Sequence, residues 1–317
     1  MSEYSNLERR MADREVIMLD GAVGSRLQTM GVPMSGFAWA ASALESHPST
    51  VRRMHEQYIE AGADIITTNT YASARHNLEP LGLVDKVAEL NIRAVALAQD
   101  ARDKAARDRP VLIAGSVSSF GIRVANEADY ADRWTETSEA QAQANLHHQA
   151  EILAEAGVDF LLAEASGGNT QRKWVVEACV ATGLPVWPGF KVRFDGGETI
   201  PRLGYNSLQT IGEGFDQVVA LGGSVACVFH SPIAATDAAL QMIRPKWQGP
   251  LCVYPEAERD DYVETYRDNA TTPVTPDEYV AWATGCVAAG VQIIGGCCGI
   301  EIDHMRPLRD ALPSHLP

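Results

Sequence analysis

Apolar residues in this chain follow two alternating patterns. Short runs rich in β-branched residues recur at Val16–Asp20, Asp64–Asn69, Val111–Val117, Phe160–Ala165, Pro185–Val192, Ser224–His230, Leu251–Pro255 and Gln292–Cys298. Each has the length and continuous apolarity of a strand covered on both faces. The segments between them carry helical spacing. Ser49–Ala61 places Val51, Met54, Tyr58 and Ile59 along one stripe and stops at Gly62, a residue suited to a helix C-terminus. Val84–Ala105 is rich in alanine and leucine, and Thr137–Ala156 is similar and ends at Gly157. The triplets Gly62-Ala63-Asp64, Gly157-Val158-Asp159 and Gly290-Val291-Gln292 each lead from a helix into a strand in the same way.

Eight strands alternating with helices over 317 residues predict a (βα)8 TIM barrel, a fold of roughly 250 residues before insertions. The competing arrangement is a doubly wound open sheet. It is disfavoured because no Gly-x-Gly-x-x-Gly follows the first strand, where a nucleotide fingerprint would sit. No linker divides the chain, so the expectation is one domain over 1–317 with its core from about Val16 to Leu312.

Composition narrows the partners. The net charge is −15, from 41 acidic against 26 basic residues, which disfavours nucleic acid and anionic membrane surfaces, since both require a positive face. No apolar run is long enough to span a bilayer, and Met1–Glu15 is polar without the apolar stretch of a signal peptide, so a cytoplasmic protein is expected. The chain stops at Pro317 without an added arm, which suggests a monomer or simple homodimer. In a reducing compartment its six cysteines are thiols or metal ligands, not disulfides.

In such a barrel, chemistry sits at the C-terminal ends of the strands. The side chains falling there include Asp20 and Gly21, Thr68 to Tyr71, Ser116, Glu164, Cys227 and the pair Cys297-Cys298. Cys179, Cys252 and Cys286 fall elsewhere and read as small buried hydrophobes. Thiolates suit zinc, and a catalytic zinc keeps three protein ligands and one open position. Cys227, Cys297 and Cys298 could supply those three; the competing reading is a glycine-rich turn with two buried thiols. Zinc deprotonates a coordinated thiol at neutral pH. Three protein thiolates would keep a bound substrate sulfur electron-rich, which points to alkyl transfer onto sulfur, not hydrolysis.

From Val16 to Leu312 the chain resembles the homocysteine S-methyltransferase family. The resemblance rests on Leu19-Asp20-Gly21-Ala22-Val23-Gly24-Ser25, on Ala61 to Tyr71, and on Gly295-Gly296-Cys297-Cys298-Gly299, with His55, Tyr58, Glu164 and Tyr254-Pro255 between them. It implies a (βα)8 barrel in which zinc, held by Cys227, Cys297 and Cys298, activates homocysteine toward a small cationic methyl donor to give methionine. Asp20, Gly21 and Glu164 would then hold the amino-acid end of homocysteine, the carboxylates pairing with its ammonium. Tyr71 and Phe120 would face the donor cation. His55, His147, His148 and His230 are read as structural.

Four stretches depart from the family pattern: Ala226 stands where Asn is usual, Ala165-Ser166-Gly167-Gly168 replaces a Thr-Ile-Pro-like segment, Ser118-Ser119 interrupts the segment after the third strand, and Glu256 follows Tyr254-Pro255. They leave the donor open among S-methylmethionine, a betaine and S-adenosylmethionine. They also leave open another thiol acceptor, a separate corrinoid protein as methyl source, and a noncatalytic zinc- or thiol-binding homologue.

Overall fold

The computed structural model describes residues 2–106, 109–123, 136–165, 167–194, 198–204, 209–257 and 273–317. Eight parallel strands form one sheet: β1 (Ile17–Met18), β2 (Ile65–Thr67), β3 (Leu112–Ser118), β4 (Phe160–Ala165), β5 (Val186–Phe190), β6 (Ala226–Phe229), β7 (Leu251–Tyr254) and β8 (Ile293–Ile294). Their order around the sheet is β1-β8-β7-β6-β5-β4-β3-β2. A parallel bridge between Leu19 and Ile65 closes the ring, reinforced by Asp20 N–H donating to the Ile65 carbonyl at 3.0 Å. The molecule is a (βα)8 barrel, as the alternation of elements predicts.

Period-two alternation sorts each strand's side chains between two apolar layers. Inside the ring pack Ile17, Leu19, Ile65, Leu112, Phe160, Leu162, Trp187, Cys227, Phe229, Cys252, Tyr254 and Ile293. Their chain neighbours, among them Met18, Ile66, Ile113, Leu161, Val228 and Val253, face outward under the helices. Because both faces are covered, these strands read as unbroken apolar runs.

The helices begin and end on local signals. Pro48–Glu60 starts on its proline and stops before Gly62, whose φ is +102°. The helix Glu139–Ala156 is capped by the Ser138 hydroxyl, which accepts from Gln141 N–H, and ends at Gly157 in the left-handed region. The Val84–Ala105 stretch is a short 3-10 turn followed by the helix Val87–Ala105.

One element goes unmarked in the sequence reading. Glu3–Ala12 is a helix, and its buried Tyr4, Leu7 and Met11 join the inner layer from the N-terminal end of the barrel. Tyr4 Oη accepts from Trp187 Nε1 at 2.9 Å and lies 2.7 Å from Ser224 Oγ. The Gln292 amide donates to the carbonyls of Met11 and Glu15. That helix plugs the N-terminal end of the barrel, and the strands point toward the opposite mouth. Among the described residues no helix is long and apolar enough to cross a membrane.

Candidate active site at the C-terminal mouth

Asp20 follows β1 and is almost wholly buried. Its carboxylate accepts from Thr67 N–H at 2.7 Å and from Thr67 Oγ1 at 2.9 Å. Glu164, near the end of β4, is likewise buried. It accepts from the Ser116 hydroxyl and, at 3.0 Å, from Tyr254 Oη. Burial pushes the pKa of both carboxyls up to about 7, against the hydrogen bonds that favour the charged forms, and Glu164 adds repulsion at Asp20. An ammonium group placed beside these two desolvated carboxyls would favour their charged forms. Gly21 is held between Ile300 and Tyr58, with Tyr58 Oη donating to the Ala22 carbonyl at 2.6 Å.

The Gly295–Gly299 turn begins directly after β8. Gly295 N–H donates to the Val253 carbonyl, Gly296 N–H to the Asp20 carbonyl and Cys297 N–H to the Pro255 carbonyl, at 2.8, 3.0 and 2.8 Å. These bonds tie the turn to β1 and β7 on its two sides. Gly299, with φ +80°, reverses the chain. The result sets Cys297 and Cys298 at the mouth with their sulfurs 3.8 Å apart. Two thiolates about 2.3 Å from a shared tetrahedral centre would stand roughly 3.8 Å apart, so the pair has the spacing a metal needs. Burial, Cys298 and the carboxylates of Glu256 and Glu164 push the Cys297 thiol well above its ordinary range. A divalent cation is the group that reverses that electrostatic balance.

The third residue in this cluster is His230. Its Nδ1 lies 2.6 Å from Cys297 Sγ, and the donor atoms of His230, Cys297 and Cys298 all fall within 4.8 Å of one another. Cys227, expected from the sequence beside the pair, is not brought there. It lies within β6 opposite Cys252 of β7, which in turn stands opposite Ile293 of β8, and both thiols are fully buried in the inner layer. Burial, followed by contact with Cys252, pushes the Cys227 thiol up. Ala226 does not reach the rim either; it faces the helices at the start of β6.

Tyr71 and Phe120 meet with ring centroids 5.4 Å apart, and Tyr71 sets its ring 4.9 Å from that of His230. Both aromatics are half-buried, so they wall the mouth next to the cysteine–histidine cluster. Glu256 is paired with Lys191 at 3.5 Å, both side chains buried. Its charge therefore already has a partner inside the protein. Its N–H donates to the Ser231 carbonyl at 3.0 Å. Ser166 lies outside the described residues. His55 is buried in its helix without a hydrogen-bond partner for either ring nitrogen among the described residues, and burial lowers its pKa to about 4, which keeps it neutral.

Residues 17–312 match the family model described as Homocysteine S-methyltransferase. The chain belongs to the homocysteine S-methyltransferase family. Among similar proteins, the homocysteine S-methyltransferase of Escherichia coli K12 is 28% identical over 309 residues, covering 94% of this chain and 96% of its own. A selenocysteine methyltransferase of Astragalus bisulcatus is 25% identical, covering 94% and 92%. The crystal structure of the homocysteine methyltransferase MmuM from Escherichia coli in its metallated form superposes with a TM-score of 0.74 at 23% identity, covering 96% of this chain and 99% of that one. That likeness agrees with the closed barrel.

Proposed function

We propose that the chain transfers a methyl group from a small cationic onium donor to the sulfur of homocysteine, held on zinc at the barrel mouth, to give methionine. Methyl transfer to homocysteine is the chemistry of the family to which the chain belongs, and a metallated relative accords with a metal at this mouth. The observation that carries the reading is the juxtaposition of two buried carboxyls, Asp20 and Glu164, with the Cys297–Cys298 pair. One part of the mouth suits an ammonium and the other suits a thiolate-binding metal, and homocysteine carries both groups.

Zinc bound by Cys297 and Cys298 would supply thiol ionisation at neutral pH. Asp20 and Glu164 would pair with the substrate ammonium, and the Thr67, Ser116 and Tyr254 hydrogen bonds fix both carboxylates in place beforehand. The Gly21 backbone would lie against the amino-acid end; its lack of a side chain lets Ile300 and Tyr58 close on the turn. Tyr71 and Phe120 offer ring faces to the donor, and attraction to an onium methyl is worth about 0.5–2 kcal/mol at such a face. The arrangement leaves in-line displacement to alignment of sulfur, methyl and leaving group.

The test is methionine formation from homocysteine with S-methylmethionine, a betaine or S-adenosylmethionine as donor, before and after zinc chelation. Methylation abolished by chelation and restored by zinc is the expected result. Turnover indifferent to chelation or to Cys298→Ala overturns the reading. Selenocysteine as a parallel acceptor distinguishes a homocysteine enzyme from one acting on another chalcogen, an outcome the relative from Astragalus makes worth measuring.

A further inference from the structure

We propose that the third protein donor of the metal site is His230, so that the centre is built from one imidazole and two thiolates, with Cys227 a packing residue. The inference rests on the metal-dependent reading above and specifies its ligand set. Three independent observations carry it.

The first is proximity. His230, Cys297 and Cys298 bring their donor atoms within 4.8 Å of one another, a grouping that excludes Cys227. The second is register. Cys227 pairs with Cys252 and Gly189 in the middle of the ladder. His230 stands three residues further along the chain, about 10 Å of extended backbone nearer the mouth. The third is backbone conformation. Alternation puts Phe229 inside the barrel, so a strand continued to His230 would aim its side chain out among the helices. Instead, the strand ends at Phe229 and His230 takes φ +45°, which turns the imidazole back over the mouth against Tyr71 and Cys297. A non-glycine residue in the left-handed region carries strain that surrounding structure must sustain, and such strain collects at ligand clamps.

The substitution has a chemical consequence. Two thiolates and a neutral imidazole leave a bound zinc without net charge, where three thiolates would make the centre anionic. A less electron-rich centre holds an incoming thiolate more strongly and ionises a substrate thiol more readily.

The experiment measures zinc content and X-ray absorption of the purified full-length chain, with Cys227→Ala, His230→Ala and His230→Cys as variants and circular dichroism to confirm folding. Expected are one zinc per chain in the wild type and in Cys227→Ala, with two sulfurs and a histidine nitrogen from the protein in the absence of homocysteine. In His230→Ala the zinc affinity should fall by more than the roughly 10–100-fold typical of losing an outer-shell partner. His230→Cys should restore binding with three sulfurs. Three protein sulfurs in the wild type, or zinc lost from folded Cys227→Ala and kept by His230→Ala, overturns this ligand set while leaving the metal-dependent reading intact. A wild-type chain that binds no zinc overturns both.

Discussion

Replacing Asp20 with Asn isolates the electrostatic cost built into the mouth. Asn keeps the shape and can still accept from Thr67 N–H while donating to Thr67 Oγ1, the two partners of the native carboxylate, but it cannot ionise. In the folded chain the Asp20 carboxyl is raised from 3.8 to about 7, with burial as the main cause and Glu164 repulsion adding to it. The native state therefore keeps a proton that the unfolded chain has released. Stability falls as pH rises between the ordinary value and about 7, and is flat above that. A shift of about three units corresponds to roughly 4 kcal/mol lost across the whole window, and about half of this, roughly 2 kcal/mol, falls between about pH 5.5 and pH 8.5.

Urea unfolding of the ligand-free protein and of Asp20→Asn at those two pH values reads this directly. The variant should gain on the wild type by roughly 2 kcal/mol on going from the lower to the higher pH. Homocysteine should restore stability to the wild type at the higher pH, because its ammonium compensates the ionised carboxylate, and should stabilise the variant far less. A gap between the two proteins that does not change with pH refutes the buried titration. Equal homocysteine affinity in both refutes the assignment of Asp20 to the ammonium.

Tyr254→Phe removes a donor to Glu164, whose pKa is already raised to about 7. Because only the ionised carboxylate pairs with an ammonium, the KM for homocysteine should rise most below neutrality and its pH profile should move upward, as read by initial rates across the range. Gly21→Ala would set a methyl 2.5 Å from the Ile300 carbonyl and 2.8 Å from the Tyr58 ring; overpacking of this kind costs about 1–3 kcal/mol, visible as a lower Tm, and an unchanged Tm would show that the turn can move aside. Arg172 is fully buried, its pKa pulled down to about 9 by desolvation, and it donates to the carbonyls of Gly189, Ala165 and Gly167 at the ends of β4 and β5. Arg172→Met should lower unfolding stability by roughly 2–4 kcal/mol through the orphaned carbonyls, measured by urea titration.

The barrel was legible along the chain because both of its periodicities are local. A strand covered on two faces needs an unbroken apolar run, a helix over it needs a stripe, and each satisfies that need with nearby residues. The Gly295–Gly299 turn and the carboxyls at the ends of β1 and β4 were legible for a similar reason, since the C-terminal ends of strands share one face in this fold. The plug helix Glu3–Ala12 left a fainter mark: Tyr4, Leu7 and Met11 have helical spacing, but three apolar residues among charged neighbours give no sign that they enter a barrel from below.

Tertiary structure alone decided which residues meet at the mouth. Cys227 and His230 lie three positions apart on one segment, and choosing between them depends on where β6 ends and which way the backbone turns there. At that turn His230 takes a positive φ and its ring packs against Tyr71 and Phe229, contacts between residues that local sequence preference does not mark. The partner of Glu256 was hidden for the same reason. Lys191 follows β5 and Glu256 follows β7, and the pairing of both strands with β6 brings their charges together. Composition and spacing determine which elements form, because those are short-range properties; ring closure and register determine which side chains share a site, because they join residues distant in sequence.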